Sequence, residues 1–479
     1  MIPRAIRLLS ALSAPILAAS LPLTAHAAPA EAAPTLTCTT ADEWTALFDR
    51  AGQTGWLDAD GIYTVALDGN DAIGSARGST QTLFFFSDTT LGTANSRGNI
   101  TKFDGMPNHT AALLSGDTPD PASIEFIYGY KGDTTNKRTL NLFRENQWLF
   151  DCFYLNGSVY VFGFNERDWK PVQIDMIEVP VTDGQPDFGS YKRTKNITQM
   201  LKITDELHYD FGMGILNNTA EAGAPDPDGY LYFYGFIDNL KEFSRKDLIV
   251  ARISAEDFPD FSKLTYFDGE GWGSDPTKSA VIIPDVSCEM SVTPVTGGPY
   301  KGKYIAVYTK GVQTAHVMYA IGDSPVGPFS EPVEFYTCPE TGAAAKGGNG
   351  TLYTYNAKAH PHLSADGKLL VSYNVNDNYG LAGHTYDYHP RFLWLDLQYT
   401  DEEIAALKGG QEDENPGAQT TEADDPETEN PPVTTAALQT GESAPKDRST
   451  PWGIIGAAVA VAAAVAAGAA VFLVKRKKR

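Results

Sequence analysis

One design recurs five times between residues 60 and 400: a turn containing glycine, then a strand rich in aromatic residues. It shows in Gly157-Ser158-Val159-Tyr160-Val161-Phe162-Gly163, which follows an Asn-Gly turn. It returns in Asp228-Gly229-Tyr230-Leu231-Tyr232-Phe233-Tyr234-Gly235, in Gly302-Lys303-Tyr304-Ile305-Ala306-Val307-Tyr308 and in Asp366-Gly367-Lys368-Leu369-Leu370-Val371-Ser372-Tyr373-Asn374. The run Leu83-Phe84-Phe85-Phe86 marks a fifth strand. Short aromatic strands after Gly turns read as β-structure. The units fall in roughly 60–145, 146–205, 206–284, 285–345 and 346–400. A single sheet could not bury both of its faces, whereas repeated sheets around an axis can. The expected fold is therefore an all-β, five-bladed β-propeller over residues 38–400, with a β-sandwich as the competing architecture. Helix is expected only near 41–50 and 401–408.

The ends read differently. Arg4 and Arg7, a mostly apolar stretch over 8–24 and Ala25-His26-Ala27 make residues 1–27 a secretory signal peptide. Residues 409–445 hold nine acids and no Lys or Arg, a composition that cannot bury a core. We expect a solvated acidic, Thr/Pro-rich linker over 409–450. Residues 453–474 carry no charge and are long enough to span a bilayer, and Lys475-Arg476-Lys477-Lys478-Arg479 would stay cytoplasmic. The expectation is a secreted protein held at the cell surface by one C-terminal transmembrane helix. Gln439-Thr440-Gly441-Glu442 before that span resembles a Gram-positive sortase signal, although Ala437-Leu438 stands where that signal has Leu-Pro. A net charge of −23 argues against a nucleic-acid partner.

Propeller sites gather polar side chains from several blades at one mouth. Asp88 follows three phenylalanines with only Ser87 between, and a desolvated carboxylate there suits a general acid. The competing reading is a turn aspartate bonding its own backbone. Asp151 and Glu289 each interrupt an apolar strand start. His109 lies in Asn108-His109-Thr110, and His360 and His362 could share one strand face; with no third ligand evident, no metal is expected. Calcium at Asp226-Pro227-Asp228-Gly229 is the one cofactor the sequence leaves open. Cys152 and Cys288 read as buried thiols, and Cys38 with Cys338 as a bridge from the N-terminal segment to the fourth blade.

Several of these segments resemble the secreted five-bladed propeller glycoside hydrolases of family 183, the endo-D-arabinanases. The matching stretches are Asp60-Gly61-x-Tyr63-x-Val65, Phe86-Ser87-Asp88-Thr89, Ser291-Val292-Thr293-Pro294, Ser324-Pro325-Val326-Gly327-Pro328-Phe329, and His360-Pro361-x-Leu363-Ser364 with Ser372-Tyr373-Asn374-Val375-Asn376. The resemblance implies that Asp60 and Asp88 are catalytic, with Glu289 as the reserve acid. His109, Trp148, Asp151, His360 and Asn374 would bind the sugar, Trp148 by stacking. Residues 69–78 look like an insertion beside that site, and Ser87 stands where the family often has Gly. The expected activity is hydrolysis of a furanosidic polysaccharide, most simply D-arabinan, by a monomer that needs no cofactor. A non-catalytic surface propeller that binds glycan or protein is the alternative. Sialidase-like chemistry ranks below both, because no repeated Ser-x-Asp-x-Gly-x-Thr-Trp box is present.

Overall fold

The apolar run Leu83-Phe84-Phe85-Phe86 shows how this chain builds its core. Phe84 and Phe86 enter one apolar cluster with Trp44, Trp56 and Phe392, whereas Leu83 and Phe85 enter another with Val159, Val161 and Ile177. A strand apolar at every position is thus buried on both faces. The alternation repeats around the molecule. Val159 and Val161 face one cluster and Phe162 the next. Ile305 and Val307 part company with Tyr304, Ala306 and Tyr308 in the same way.

The computed structural model describes residues 35–129, 140–167, 170–239, 245–348, 350–377 and 383–409. Among them five antiparallel meanders follow one another, each starting with an inner strand: Tyr63–Ala66, Trp148–Leu155, Leu207–Asn218, Ile283–Pro294 and Leu352–Ala359. The third and fourth meanders are joined through a short pairing of Lys246 with Val286 and Leu248 with Ile283. The inner strands are bonded side by side: Ile215 N donates to Asp151 (2.7 Å), Ala359 N to Ser291 (2.8 Å), and Thr64 Oγ1 meets His360 Nδ1 (2.9 Å). The last contact brings the fifth meander back to the first, which is the closure of a propeller-like all-β fold. Strand Thr37–Thr40 pairs with Arg391–Asp396 and completes the fifth sheet. Helix Asp42–Leu47 buries Trp44 and Leu47 against it. A second helix spans Asp401–Gly409.

Three outcomes differ from the sequence reading. First, Thr54–Ala59, Thr89–Ala94 and Ile100–Gly105 form a separate three-stranded sheet, so the first unit is not one simple blade. Second, all four cysteines are thiols. Cys38 and Cys338 share one apolar cluster without a bridge. Third, segment 69–78 leaves the far end of strand Tyr63–Ala66, remote from Asp60. There it bonds Ala222, Pro361 and His362 through the backbone of Asp71, Gly74 and Ala76. The signal, linker, span and tail expected from the sequence lie outside the described residues. Among the described residues no helix is long and apolar enough to cross a membrane.

Candidate active site

The extra sheet creates the site. Asp60 sits where the chain leaves strand Thr54–Ala59 for the first blade, and Asp88 sits where it leaves that blade for Thr89–Ala94. The two crossings face each other: Ser87 N donates to the Asp60 carbonyl (2.9 Å) and Asp60 N to the Asp88 carbonyl (3.2 Å). The turn after Asp60 is sharp. Gly61 has φ 88°, and a Cβ there would lie 2.7 Å from Ser87 N. Ile62 follows at φ 51°, a costly conformation for a β-branched residue.

Both carboxylates are half-buried, and among the described residues neither touches a cation. Asp60 Oδ2 accepts from Tyr355 OH (2.7 Å), and Oδ1 has no protein partner. Burial, and then the charge of Asp88, push the Asp60 carboxyl up to about 8 against the Tyr355 bond; Glu289 adds to the rise. Asp88 Oδ1 accepts from Trp148 Nε1 (2.8 Å) and Asn108 Nδ2 (3.3 Å). Burial lifts Asp88 to about 6 while these two donors hold it down. The values belong to the coupled pair. At neutral pH such a pair holds about one proton between its two carboxyls, with Asp60 the tighter holder, the division of labour that acid–base chemistry requires. Tyr388 OH donates to the Asp88 carbonyl (3.0 Å), and fully buried Asp58 lies on the same side.

Glu289 sits deeper. Its Oε2 ion-pairs with Lys358 (2.6 Å), and its Oε1 accepts from Asn356 Nδ2 (2.7 Å). Asp151 is half-buried, its oxygens taken by the N–H groups of Cys152 (2.9 Å) and Ile215 (2.7 Å). It lines a central cavity of about 50 Å³ with Tyr63, Lys358, His360 and Asp71. Asn374 pairs with Tyr355 in register and is buried with no partner for either amide atom.

The histidines correct the sequence reading. His360 follows the end of its strand, 1% exposed, with Nδ1 on Thr64 and Nε2 on Ser372 (2.8 Å). Neither nitrogen is left for a ligand, so it ties the fifth sheet to the first. His362 bonds Asp71 of segment 69–78 (3.0 Å). His109 is fully buried against Phe143, with Nε2 on the Glu145 carbonyl. In the loop considered for calcium, Asp228 spends its oxygens on Tyr230 N (3.1 Å) and Tyr232 OH (2.5 Å). Among the described residues no cluster of three His, Cys, Asp or Glu side chains suits a metal ion. The reading missed Tyr355 and Lys358. A lysine inside the apolar stretch Ala357-Lys358-Ala359 was the available signal.

A family model described as a domain of unknown function, DUF5005, matches residues 41–396. The chain belongs to the DUF5005 family. No curated protein matches this DUF5005 chain. Its fold is similar to that of a candidate hydrolase from Bacteroides ovatus ATCC 8483: 17% identity, TM-score 0.55, covering 81% of this chain and 96% of the other. Weaker similarities reach the GH43_1 enzyme from Xanthomonas citri (15% identity, TM-score 0.37, 73% and 92% of the two chains). They also reach an α-L-arabinofuranosidase from Podospora anserina (12% identity, TM-score 0.35, 72% and 98%). The fold argument rests on the first of these. Both aspartates, Glu289, Lys358 and Tyr355 fall inside the DUF5005 match.

Proposed function

We propose that this DUF5005 protein is a glycoside hydrolase acting on a furanosidic polysaccharide, with D-arabinan as the first substrate to try. The observation that carries the reading is the pair Asp60 and Asp88, held across a strained turn with unequal proton affinities and with no cation on either among the described residues. Asp60 gives its proton to the glycosidic oxygen as the bond from that oxygen to the anomeric carbon breaks. Asp88 either takes a proton from the attacking water or attacks the anomeric carbon itself, and the anomer first released tells which. Trp148 and Asn108 hold Asp88 in its ionised form, and Tyr355 orients Asp60. Glu289 acts beside this pair through its charge rather than as the acid. Asn374 offers an amide for a sugar hydroxyl.

The choice of D-arabinan draws on the family-183 resemblance of the blade segments. Secretion and surface anchoring, supported by the composition of residues 1–27 and 453–479, complete the reading. The test is incubation of the purified chain with bacterial cell-wall arabinogalactan, beside Asp88→Asn. Release of arabino-oligosaccharides by the parent alone is expected. No release by the parent, with the glycan retained on immobilised protein, would transfer the site to the binding-propeller alternative.

A further inference from the structure

Lys358 is 3% exposed, in the inner strand of the fifth sheet. Its ammonium donates to the Gly61 carbonyl and to the Asn356 carbonyl (3.3 Å), and pairs with Glu289 Oε2 (2.6 Å). It also lies over the Tyr63 ring, 4.7 Å from the centroid. One side chain from the fifth sheet therefore grips the turn of the first and the inner strand of the fourth. Burying an ammonium is expensive unless its charge and donors are met. Here they are met by the residue after Asp60 and by a carboxylate whose charge Asp60 feels.

We propose that Lys358 is a positioning residue of the acid pair: it fixes the Gly61 carbonyl, and with it the Asp60 carboxyl, and its ammonium pairs with Glu289 at Asp60's side. The proposal rests on the Asp60–Asp88 reading and deepens it. Two links support it. The Gly61 carbonyl belongs to the left-handed turn that aims Asp60, so a bond there resists relaxation of the turn. Burial alone would favour a protonated Glu289, and Lys358 is the largest influence opposing it. An ionised Glu289 in turn favours the proton on Asp60.

The groups that face Asp60 are Asp88, Glu289, Tyr355 and Tyr388, with Asp58 and Tyr353 beside them. Those that face Lys358 are Glu289, Asp151, Tyr63 and His360.

The test uses the full chain without substrate. Carboxyl titrations are followed by ¹³C NMR in the parent, in Lys358→Met, in Glu289→Gln and in the double variant Lys358→Met/Glu289→Gln. The double variant removes both charges, so it avoids leaving Glu289 alone in the interior. With Glu289 neutral in each variant, the upper titration of the pair should move down by about one pH unit, a tenfold change in proton affinity. Hydrolysis, measured separately, should fall on its basic side at correspondingly lower pH. An upper titration unchanged in the folded double variant, or moved by Glu289→Gln alone but not by Lys358→Met, would overturn the proposal, because Asp60 would then not feel the ion pair that Lys358 maintains. A parent that shows the shift yet releases no sugar sinks the hydrolase reading and leaves the lysine's role standing.

Discussion

Two buried aspartates, Asp175 and Asp60, meet opposite treatment in this fold. Asp175, in the second blade, is fully enclosed and fully answered. Arg193 bonds its Oδ2 through Nε (2.9 Å), while Gln173 Nε2 (2.8 Å) and the Asn196 N–H (2.7 Å) bond its Oδ1. Arg193 also reaches Glu145 (3.1 Å). Asp60 has the hydroxyls of Tyr355 and Tyr388 beside it, no cation among the described residues, and the carboxylates of Asp88 and Glu289 nearby. The first arrangement spends its electrostatics on holding a strand edge together. The second keeps a carboxyl ready to give up a proton. Burial is common to both, so the partners decide what a buried carboxylate is for.

Substitutions should separate the two sites. Asp60→Asn or Asp88→Asn should cut hydrolysis by about 10³-fold, within the range of acid–base contributions, while leaving the protein as stable as the parent or more so. Arg193→Met should do the reverse. It leaves Asp175 charged and uncompensated, which costs roughly 3–5 kcal/mol, read as a lower urea midpoint with little change in the specific activity of the folded fraction. An Arg193→Met protein with unchanged stability would erase the contrast.

The pH dependence sharpens it. Burial and the charge of Asp88 push the upper step of the pair, carried mainly by Asp60, up to about 8 in the folded state, against near 4 for an unfolded aspartate. A raised carboxyl means that the folded state holds the proton more tightly. The associated stabilisation is present below about pH 4 and is lost as pH rises through about 8. Asp60→Asn removes that loss, so its thermal midpoint should pull ahead of the parent's as pH goes from 5 to 8.5. A constant gap across that range would mean that Asp60 titrates normally. Trp148→Phe should have the smallest effect. It keeps a ring near Phe164 but removes the N–H that stabilises ionised Asp88. The acidic limb of the rate profile should move to higher pH, with about a tenfold loss near pH 6.

Much of this was legible in the chain. The blades announced themselves because each sheet is apolar on both faces and each turn needs Gly or Asn. Asp88 stood out as a carboxylate at an apolar strand end, and Asp60 came from the family-183 resemblance. What was not legible depends on pairing across the ring. Tyr355 and Lys358 are almost 300 positions from the turn they serve, and no local pattern connects them. The same blindness turned His360 into an expected sugar ligand, because spacing does not show that Thr64 and Ser372 occupy its nitrogens. It also set segment 69–78 beside Asp60, when the direction of the short strand Tyr63–Ala66 carries it to the other end of the channel.

The most direct test of the central claim needs no substrate. Site-resolved ¹³C titration of the aspartate carboxyls, with Asp60→Asn and Asp88→Asn for assignment, should show the pair losing its protons in two steps near pH 6 and pH 8. Each single variant should collapse them to one step. Two ordinary titrations below pH 5, unaffected by each other's removal, would contradict the account.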